Sequence, residues 1–310
     1  MSSYGTSLNL LFFYITWATL VLSHSPLRVE IVGTVVIRFF LYFIPSLIFF
    51  LFDLFLPSAA TALKKYGKDG LPQKRKKKVG NAQLKVAAWS TFNLGLGIVA
   101  QGMVELGFTK GLGIKSALKV STRLPLPWSI VKDILRALLI REVLQYVLHR
   151  YMLHSKGTWL AKRHAEWYHS IHTPYPLTAH YDHPAVYLFS HFIPTFFPVA
   201  VFRSHLLSYM LYLAIISLEE TFTYSGYKSI PTSFFTSRIA KHVDAHLFSD
   251  GGGNFAPWGI MDWIFGTNIK EDSSDISSDE SDDVSVNGIE RQGVMRVKGN
   301  LTNQCRARRP

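Results

Sequence analysis

The chain contains a single cysteine, Cys305. One thiol cannot form an intrachain disulfide, and a metal site built from several cysteine ligands is excluded. The scarcity of cysteine fits a functional site that faces a reducing compartment. The sequon at Asn300 is therefore expected to carry no glycan unless the tail is lumenal.

Charged residues are also scarce. They make up 17% of the chain, against 48% hydrophobic and 14% aromatic residues, and the mean hydropathy is +0.15. This composition indicates a membrane protein. The chain has neither the H-E-x-x-H motif of metalloproteases nor the G-x-S-x-G motif of hydrolases, so a mononuclear or zinc hydrolase is the least favoured class of function.

Two long apolar runs predict an N-terminal transmembrane hairpin over residues 1–63. Residues 8–22 carry no charge, and residues 31–52 are interrupted only by Arg38 and Pro45, where about 20 apolar residues suffice for a span. A cleaved signal peptide is a poorer interpretation of the first run, because no basic residue precedes it and no small-residue cleavage site follows.

A basic loop is predicted over residues 64–80. Residues 64–78 hold eight Lys or Arg and one Asp. A basic loop beside a span is retained in the cytosol, which also places the N-terminus there. We expect lipid headgroups, rather than nucleic acid, to be its partner.

Residues 81–268 are predicted to form one helical domain. The apolar stretch 86–108 carries Gln101 and Glu105. It could be a full span, a re-entrant segment or an interfacial helix. The basic residues that follow it favour partial insertion into the membrane over a full crossing. Ser129 is a candidate N-cap for a helix that runs to about His149. The runs 185–202 and 206–218 flank a short turn at Arg203, and predict a kinked hairpin that returns the chain to the same side of the membrane.

The tail, residues 269–310, is expected to be disordered. Seven acidic residues alternate with serines over 271–283, and the last twenty residues are basic and polar. Such segments cannot bury enough apolar surface to fold. Truncation after Thr267 should therefore leave expression and metal content nearly unchanged.

Eleven of the twelve histidines lie between Leu148 and His246. Neutral imidazole suits iron, copper, nickel or zinc, and repeated helical spacings place rings on one helix face. Taken alone, His180 or His191 is expected to be an ordinary solvated or hydrogen-bonded histidine. Together the clusters predict a metal site: His149-x4-His154, His164-x4-His169-x2-His172, His180-x2-His183 and His242-x3-His246.

The two histidines of the first cluster can bind one metal ion only under a geometric condition. Five residues on an ideal α-helix leave His149 and His154 about 140° apart. These two rings can share an ion only if the helix ends or widens there, whereas the pairs His169/His172 and His242/His246 need no such adjustment.

The order of these clusters, followed by Ser225-Gly226-Tyr227 and the segment Asn254 to Thr267, resembles the fatty acid hydroxylase/sterol desaturase superfamily from about Leu135 onward. The resemblance implies an all-α integral membrane protein, with transmembrane helical hairpins and a histidine-box metal site on the cytosolic face. It further implies a non-haem di-iron oxidoreductase of the endoplasmic reticulum that uses O2 and electrons from cytochrome b5 or a reductase to act on sterol or fatty-acyl lipids.

The resemblance also implies the ligands. The expected iron ligands are His149, His154, His169, His172, His183, His242 and His246, with His164 and His180 as possible additions. The carboxylates expected to orient these rings or to ligate directly are Asp182, Glu219, Glu220 and Asp244. The chain departs from the family where histidine is usual, at Thr173, Tyr224 and Ala245.

Two functions of different class follow. The first is an iron-dependent, O2-dependent hydroxylase or desaturase with an apolar substrate cavity lined by Trp159, Trp167, Phe222 and Trp258. The second, suggested by the departures, is a catalytically impaired relative that serves as a membrane lipid-binding or scaffold protein.

Overall fold

The computed structural model describes residues 2–72, 80–171, 173–228, 233–249 and 251–269. His172, most of the basic loop and the tail from residue 270 lie outside the described residues, and the expectations about them stay predictions. Over the described ranges the chain forms helices and turns without a β-strand, apart from two isolated bridges. The predicted all-α class is confirmed.

Ten helices follow one another along the described chain. They are α1 (Ser2–Ser23), α2 (Pro26–Phe55), α3 (Pro57–Leu63), α4 (Asn81–Leu106), α5 (Pro127–Leu148), α6 (Trp159–Trp167), α7 (Pro184–Val201), α8 (Leu206–Thr223), α9 (Ser233–Phe248) and α10 (Ile260–Ile264). Segments with π-helical hydrogen bonding lie within α2 and α7 and extend α4 and α5.

Three of these helices, α2, α7 and α8, are long and apolar enough to cross a membrane, and α1 contains a shorter apolar segment, Leu8–Ser23. The second helix begins at Pro26, five residues before the predicted run. Ser25 caps it by accepting a hydrogen bond from the backbone N–H of Arg28, and Pro26 occupies the first turn, where its missing N–H costs nothing. Glu30, near this end, is buried and accepts a hydrogen bond from Gln101 at 2.7 Å.

The predicted kinked hairpin is formed by α7 and α8. A π-helical segment, Leu188–Phe192, precedes Pro194, and Pro198 lies inside the helix. His205, in the turn, caps α8 by accepting a hydrogen bond from the backbone N–H of Leu207 at 3.1 Å. Apolar side chains of both helices pack in one core with α2 and α5.

The stretch whose membrane placement the sequence left open is a continuous helix, α4. Its two polar side chains are buried with partners: Gln101 donates to Glu30, and Glu105 accepts from the backbone N–H of Ala117 at 2.9 Å. This helix is not among those apolar enough to span a membrane. Partial insertion of this segment stays a prediction.

One local prediction was wrong. The helix α5 begins at Pro127 rather than after Ser129, because Leu126 is extended and the proline ring fixes the first helical φ. Lys64, at the start of the predicted basic loop, has a fully buried side chain that forms a 2.7 Å ion pair with Asp53. Lys64 also donates to the carbonyl of Ser225 at 2.6 Å, so the buried charge is fully compensated.

Candidate metal centre

The first histidine pair lies where a helix widens. A π-helical turn, His149–Leu153, continues α5, and the backbone N–H of His154 donates to the carbonyl of His149 at 3.1 Å. This i→i+5 bond brings the two residues to the same side of the helix. Their Nε2 atoms lie 3.2 Å apart, so the geometric condition set by the sequence is met.

Two further histidines face this pair. His164 lies on α6, whose first turn is capped by Thr158, and its Nε2 is 3.1 Å from that of His149. His169 lies in the following 3-10 turn, with its Nε2 3.4 Å from that of His154. His164, which the sequence analysis gave as a possible additional iron ligand, is therefore in direct contact with His149.

The fifth histidine comes from the far end of the domain. His246, on α9, lies with its ring centroid 4.6 Å from that of His149 and 5.0 Å from that of His169. Candidate ligand atoms of His149, His154, His164 and His246 all lie within 4.8 Å of one another. We call His149, His154, His164, His169 and His246 the main histidine cluster.

The outer ring nitrogens of three members are fixed by acceptors. Nδ1 of His149 lies 2.8 Å from the carbonyl of Phe255, and Nδ1 of His246 lies 2.6 Å from the carbonyl of Gly253. Nδ1 of His164 lies 2.7 Å from a carboxylate oxygen of Asp182.

A carbonyl accepts but cannot donate, so the proton of the His149 and His246 rings is on Nδ1 and their Nε2 lone pairs face inward. An ionised Asp182 favours the same tautomer of His164. Lone pairs that converge at about 3 Å repel one another unless a cation lies between them. Within the described part of the chain, Nε2 of His246 is buried without a hydrogen-bond partner. The donor set therefore fits a metal held by neutral imidazoles.

The environment keeps these rings neutral. Burial, followed by the proximity of the other imidazoles, holds the pKa of His149 and of His164 well below the ordinary 6.5. The same causes lower the pKa of His154 to about 4 and that of His246 to about 3. At neutral pH these four imidazoles are uncharged, and each has one ring nitrogen whose lone pair can bind a metal.

The cluster borders a cavity of about 70 Å³. Its wall includes Tyr168 and Tyr224, whose hydroxyls are hydrogen-bonded to each other at 2.9 Å, and Phe255. None of the four aromatic residues predicted to line a substrate cavity borders it. Phe222 lines a second cavity, of about 230 Å³, beside Lys65 and Tyr227.

Three other predicted ligands lie away from the main cluster. His183 caps α7 by accepting from the backbone N–H of Ala185, and its ring contacts Trp159 and Trp167. His242 bonds to Asp262, with Nε2 3.2 Å from Oδ2. His180 is fully buried in a separate group, described below.

Of the four predicted carboxylates, Asp182 contacts the main cluster. Glu219 pairs with Arg141 at 2.9 Å and accepts from the indole N–H of Trp258. Asp244 accepts from Lys65 and Tyr66. Glu220 contacts His180 and Arg38 instead.

Sequence reasoning missed Asp262. Its carboxylate is fully buried, accepts from the backbone N–H groups of Phe255 and Ala256 at 2.9 Å each, and contacts His242. It thereby fixes the loop whose carbonyl orients His149. The only signal was its place in the segment Asn254 to Thr267, already part of the family resemblance.

The comparisons with known proteins agree with this site. Residues 134–267 match the fatty acid hydroxylase family, and every member of the main cluster lies inside that range. Over these residues the chain is similar to the fatty acid hydroxylase family, as the motifs predicted.

Individual relatives are distant. The chain is 32% identical over 166 residues to very-long-chain aldehyde decarbonylase GL1-11 of Oryza sativa subsp. indica, covering 51% of this chain and 59% of that protein. It is 33% identical over 159 residues to methylsterol monooxygenase 2-2 of Arabidopsis thaliana, covering 49% and 58%. A longer match, 28% over 262 residues, joins it to decarbonylase GL1-8 of the same rice, covering 81% and 89%. No solved structure matches the chain.

Proposed function

We propose that this chain is a membrane-bound, iron-dependent oxidoreductase that uses O2 to hydroxylate or desaturate a lipid. The observation that carries the proposal is the convergence of five histidine rings, three of them with the outer nitrogen bonded to a carbonyl or carboxylate. The match of residues 134–267 to the fatty acid hydroxylase family, and the similarity to a methylsterol monooxygenase, support it.

The main histidine cluster would hold the iron. Iron bound there would supply O2 activation and the oxidation of a C–H bond. The protein's own contribution is to fix the rings: the carbonyls of Phe255 and Gly253 and the carboxylate of Asp182 hold the tautomers that point Nε2 at the metal. His172, His183 and His242 remain proposed ligands of a second iron that the resemblance implies.

We place the substrate among sterols and long-chain acyl lipids, because the relatives include a methylsterol monooxygenase and very-long-chain aldehyde decarbonylases. The cavity beside the cluster, about 70 Å³, is smaller than the roughly 300 Å³ of the smallest pockets that hold drug-sized ligands. A lipid carbon therefore reaches the cluster only when lining side chains such as Tyr224 or Phe255 move.

We place the protein in the endoplasmic reticulum membrane with the histidines facing the cytosol, where cytochrome b5 or a reductase can deliver electrons. The basic residues after α2 and α3 support this orientation. Cysteines introduced at Lys68 and Phe248, in a chain whose Cys305 is replaced, should both react with an impermeant thiol reagent outside sealed microsomes. Labelling of only one would contradict the orientation.

A second candidate is a relative without catalysis that binds lipid or acts as a scaffold. It is favoured by Tyr224 and Ala245, which stand where the family usually has histidine. Tyr224 is bonded to Tyr168 across the cavity wall, and Ala245 is buried, so neither position offers an imidazole.

The test is to purify the full chain in detergent after expression with excess iron. The oxidoreductase proposal predicts bound iron and oxidised product when the reduced protein meets O2 and a panel of sterols and fatty-acyl lipids. His149→Ala should abolish both, whereas His24→Ala, on an exposed residue near the N-terminus, should change neither. Protein that folds without binding iron would favour the scaffold candidate.

A further inference from the structure

A second group of potential ligands lies beside the main histidine cluster. It consists of His180, in the loop before α7, His191, in the π-helical turn of α7, and Glu220, near the end of α8. One ligand atom from each lies within 4.8 Å of the other two. We call these three residues the second ligand group.

We propose that the second ligand group binds its own divalent transition metal, with ferrous iron as the expected occupant. Two imidazoles and one carboxylate form the ligand set that non-haem ferrous sites use, with coordination positions left open for other molecules. Neighbouring ligands about 2.1 Å from an ion lie roughly 3 Å apart, so small side-chain movements from the present spacing complete the site.

The burial of His180 and the lack of hydrogen bonds to its ring nitrogens, within the described part of the chain, support a bound cation at this residue. The residue is 1% exposed. Its Nε2 lies 3.3 Å from Oε2 of Glu220 but without the alignment of a hydrogen bond, and among the described residues its Nδ1 has no hydrogen-bond partner either. Burying an imidazole without satisfying its nitrogens is costly, by about 1 to 3 kcal/mol for a buried polar group, and a bound metal removes that cost.

The surroundings hold the three side chains in place. Asn93 donates to the carbonyls of His180 and Asp182 at 2.9 and 2.8 Å. The ring of Tyr187 stacks on that of His191, with centroids 5.3 Å apart. These contacts fix the backbone of His180 and the ring of His191.

Arg38 must be accounted for, because it contributes a positive charge. Its Nη1 lies 2.5 Å from Oε2 of Glu220 and 3.3 Å from Oγ of Ser217. The contacts of Arg38 and His180 both fall on Oε2, so we assign Oε1 to the metal. Arg38 then fixes the carboxylate as the outer partner of a metal ligand does.

One member of the second ligand group, His191, lines the same cavity as His149, His164 and His246 of the main histidine cluster. A metal in the second ligand group would thus lie beside the proposed oxidation site. The role of this second metal rests on the proposed function. The test of the second site does not, because it counts metal ions.

The experiment is a titration of metal-free, full-length protein in detergent with Co²⁺, followed by visible absorption, together with iron analysis of protein purified from iron-rich cells. We expect metal at both clusters in the wild type. His191→Ala should remove one ion per chain, and so should His180→Ala. His205→Ala is the matched control, since it removes a buried imidazole from the turn between α7 and α8, outside both clusters, and should leave the count unchanged.

Glu220→Gln leaves Arg38 without its counter-charge and can fail to fold, so the histidine variants decide the outcome. If His191→Ala and His180→Ala bind as much metal as the wild type, the second site is refuted. If at the same time His149→Ala loses metal, the proposed function survives. If neither cluster's variants change a metal content near zero, both proposals fail.

Discussion

Asp182→Asn is the change that most directly tests how the main histidine cluster is held. Asp182 is 1% exposed, one carboxylate oxygen lies 2.7 Å from Nδ1 of His164, and the other accepts from the backbone N–H of His183 at 2.7 Å. An amide has one oxygen and one NH2 group. In either orientation the asparagine therefore sets a donor against a donor, at His164 or at His183.

The expected loss follows from that conflict. Removing the outer partner of a metal-ligating histidine costs about 10- to 100-fold in metal affinity, which corresponds to about 1.4 to 2.7 kcal/mol. Competition with a chelator of known iron affinity measures it.

Asp53→Asn is the matched control, because Asp53 is also a buried carboxylate but is bonded to Lys64 and Tyr227, away from the histidines. It should lower stability and leave iron affinity unchanged. Equal iron affinity in Asp182→Asn and wild type would refute the orienting role of Asp182. An equal loss of iron affinity in Asp182→Asn and Asp53→Asn would show that the loss is not specific to the carboxylate beside His164.

Three further predictions follow from the same structure. Gly251→Ala should abolish metal binding, because its φ is +82° and a Cβ there would lie 2.1 Å from Cε1 of His154. Gly157→Ala, with φ +87° and no atom of the described residues within 4 Å of the added Cβ, should cost only modest stability. Metal analysis distinguishes the two variants, and equal metal content in both would contradict the close approach of Gly251 to His154. Lys64→Met should lower the free energy of unfolding by about 3 to 5 kcal/mol because it leaves Asp53 buried without a counter-charge; a thermal midpoint equal to that of wild type would argue against it. Metal-free protein should lose stability as the pH falls below 6.5, because the pKa values of His149, His154, His164 and His246 are lower in the folded state, about 4 for His154 and about 3 for His246. The unfolded chain therefore binds more protons, and each such histidine contributes up to about 1.4 kcal/mol per pH unit. Denaturant unfolding that is unchanged from pH 7 to pH 5 would count against this prediction.

Much of the helical framework was predictable because its signals are local. The apolar runs of α2, α7 and α8 reflect burial in an apolar environment, and the turn at Arg203 separates two of them whatever the rest of the chain does. The predicted start of α5 was wrong by three residues, because Pro127 itself begins the helix, two residues before the serine that was predicted to cap it.

The site was only partly predictable because its partners are remote in sequence. The spacing of His149 and His154 predicted that their rings meet only if the helix ends or widens there, and the π-helical turn meets that condition. Glu220, however, meets Arg38 across 182 residues, and no periodicity links those positions. Asp182 and Glu220 look alike in sequence as carboxylates near histidines, but three-dimensional packing places them beside different clusters.

The π-helical turn at His149–Leu153 bears on how related chains should be aligned. Such a turn contains one residue more than an α-helical turn does, and so it acts as a single-residue insertion whose effect ends within the turn. A chain lacking that residue would place the same two histidines four apart on a regular α-helix, where both rings again share a face. The spacings His-x4-His and His-x3-His are therefore equivalent solutions to one geometric requirement, and an alignment gap between these two histidines marks a change of helix type with the ligand pair retained.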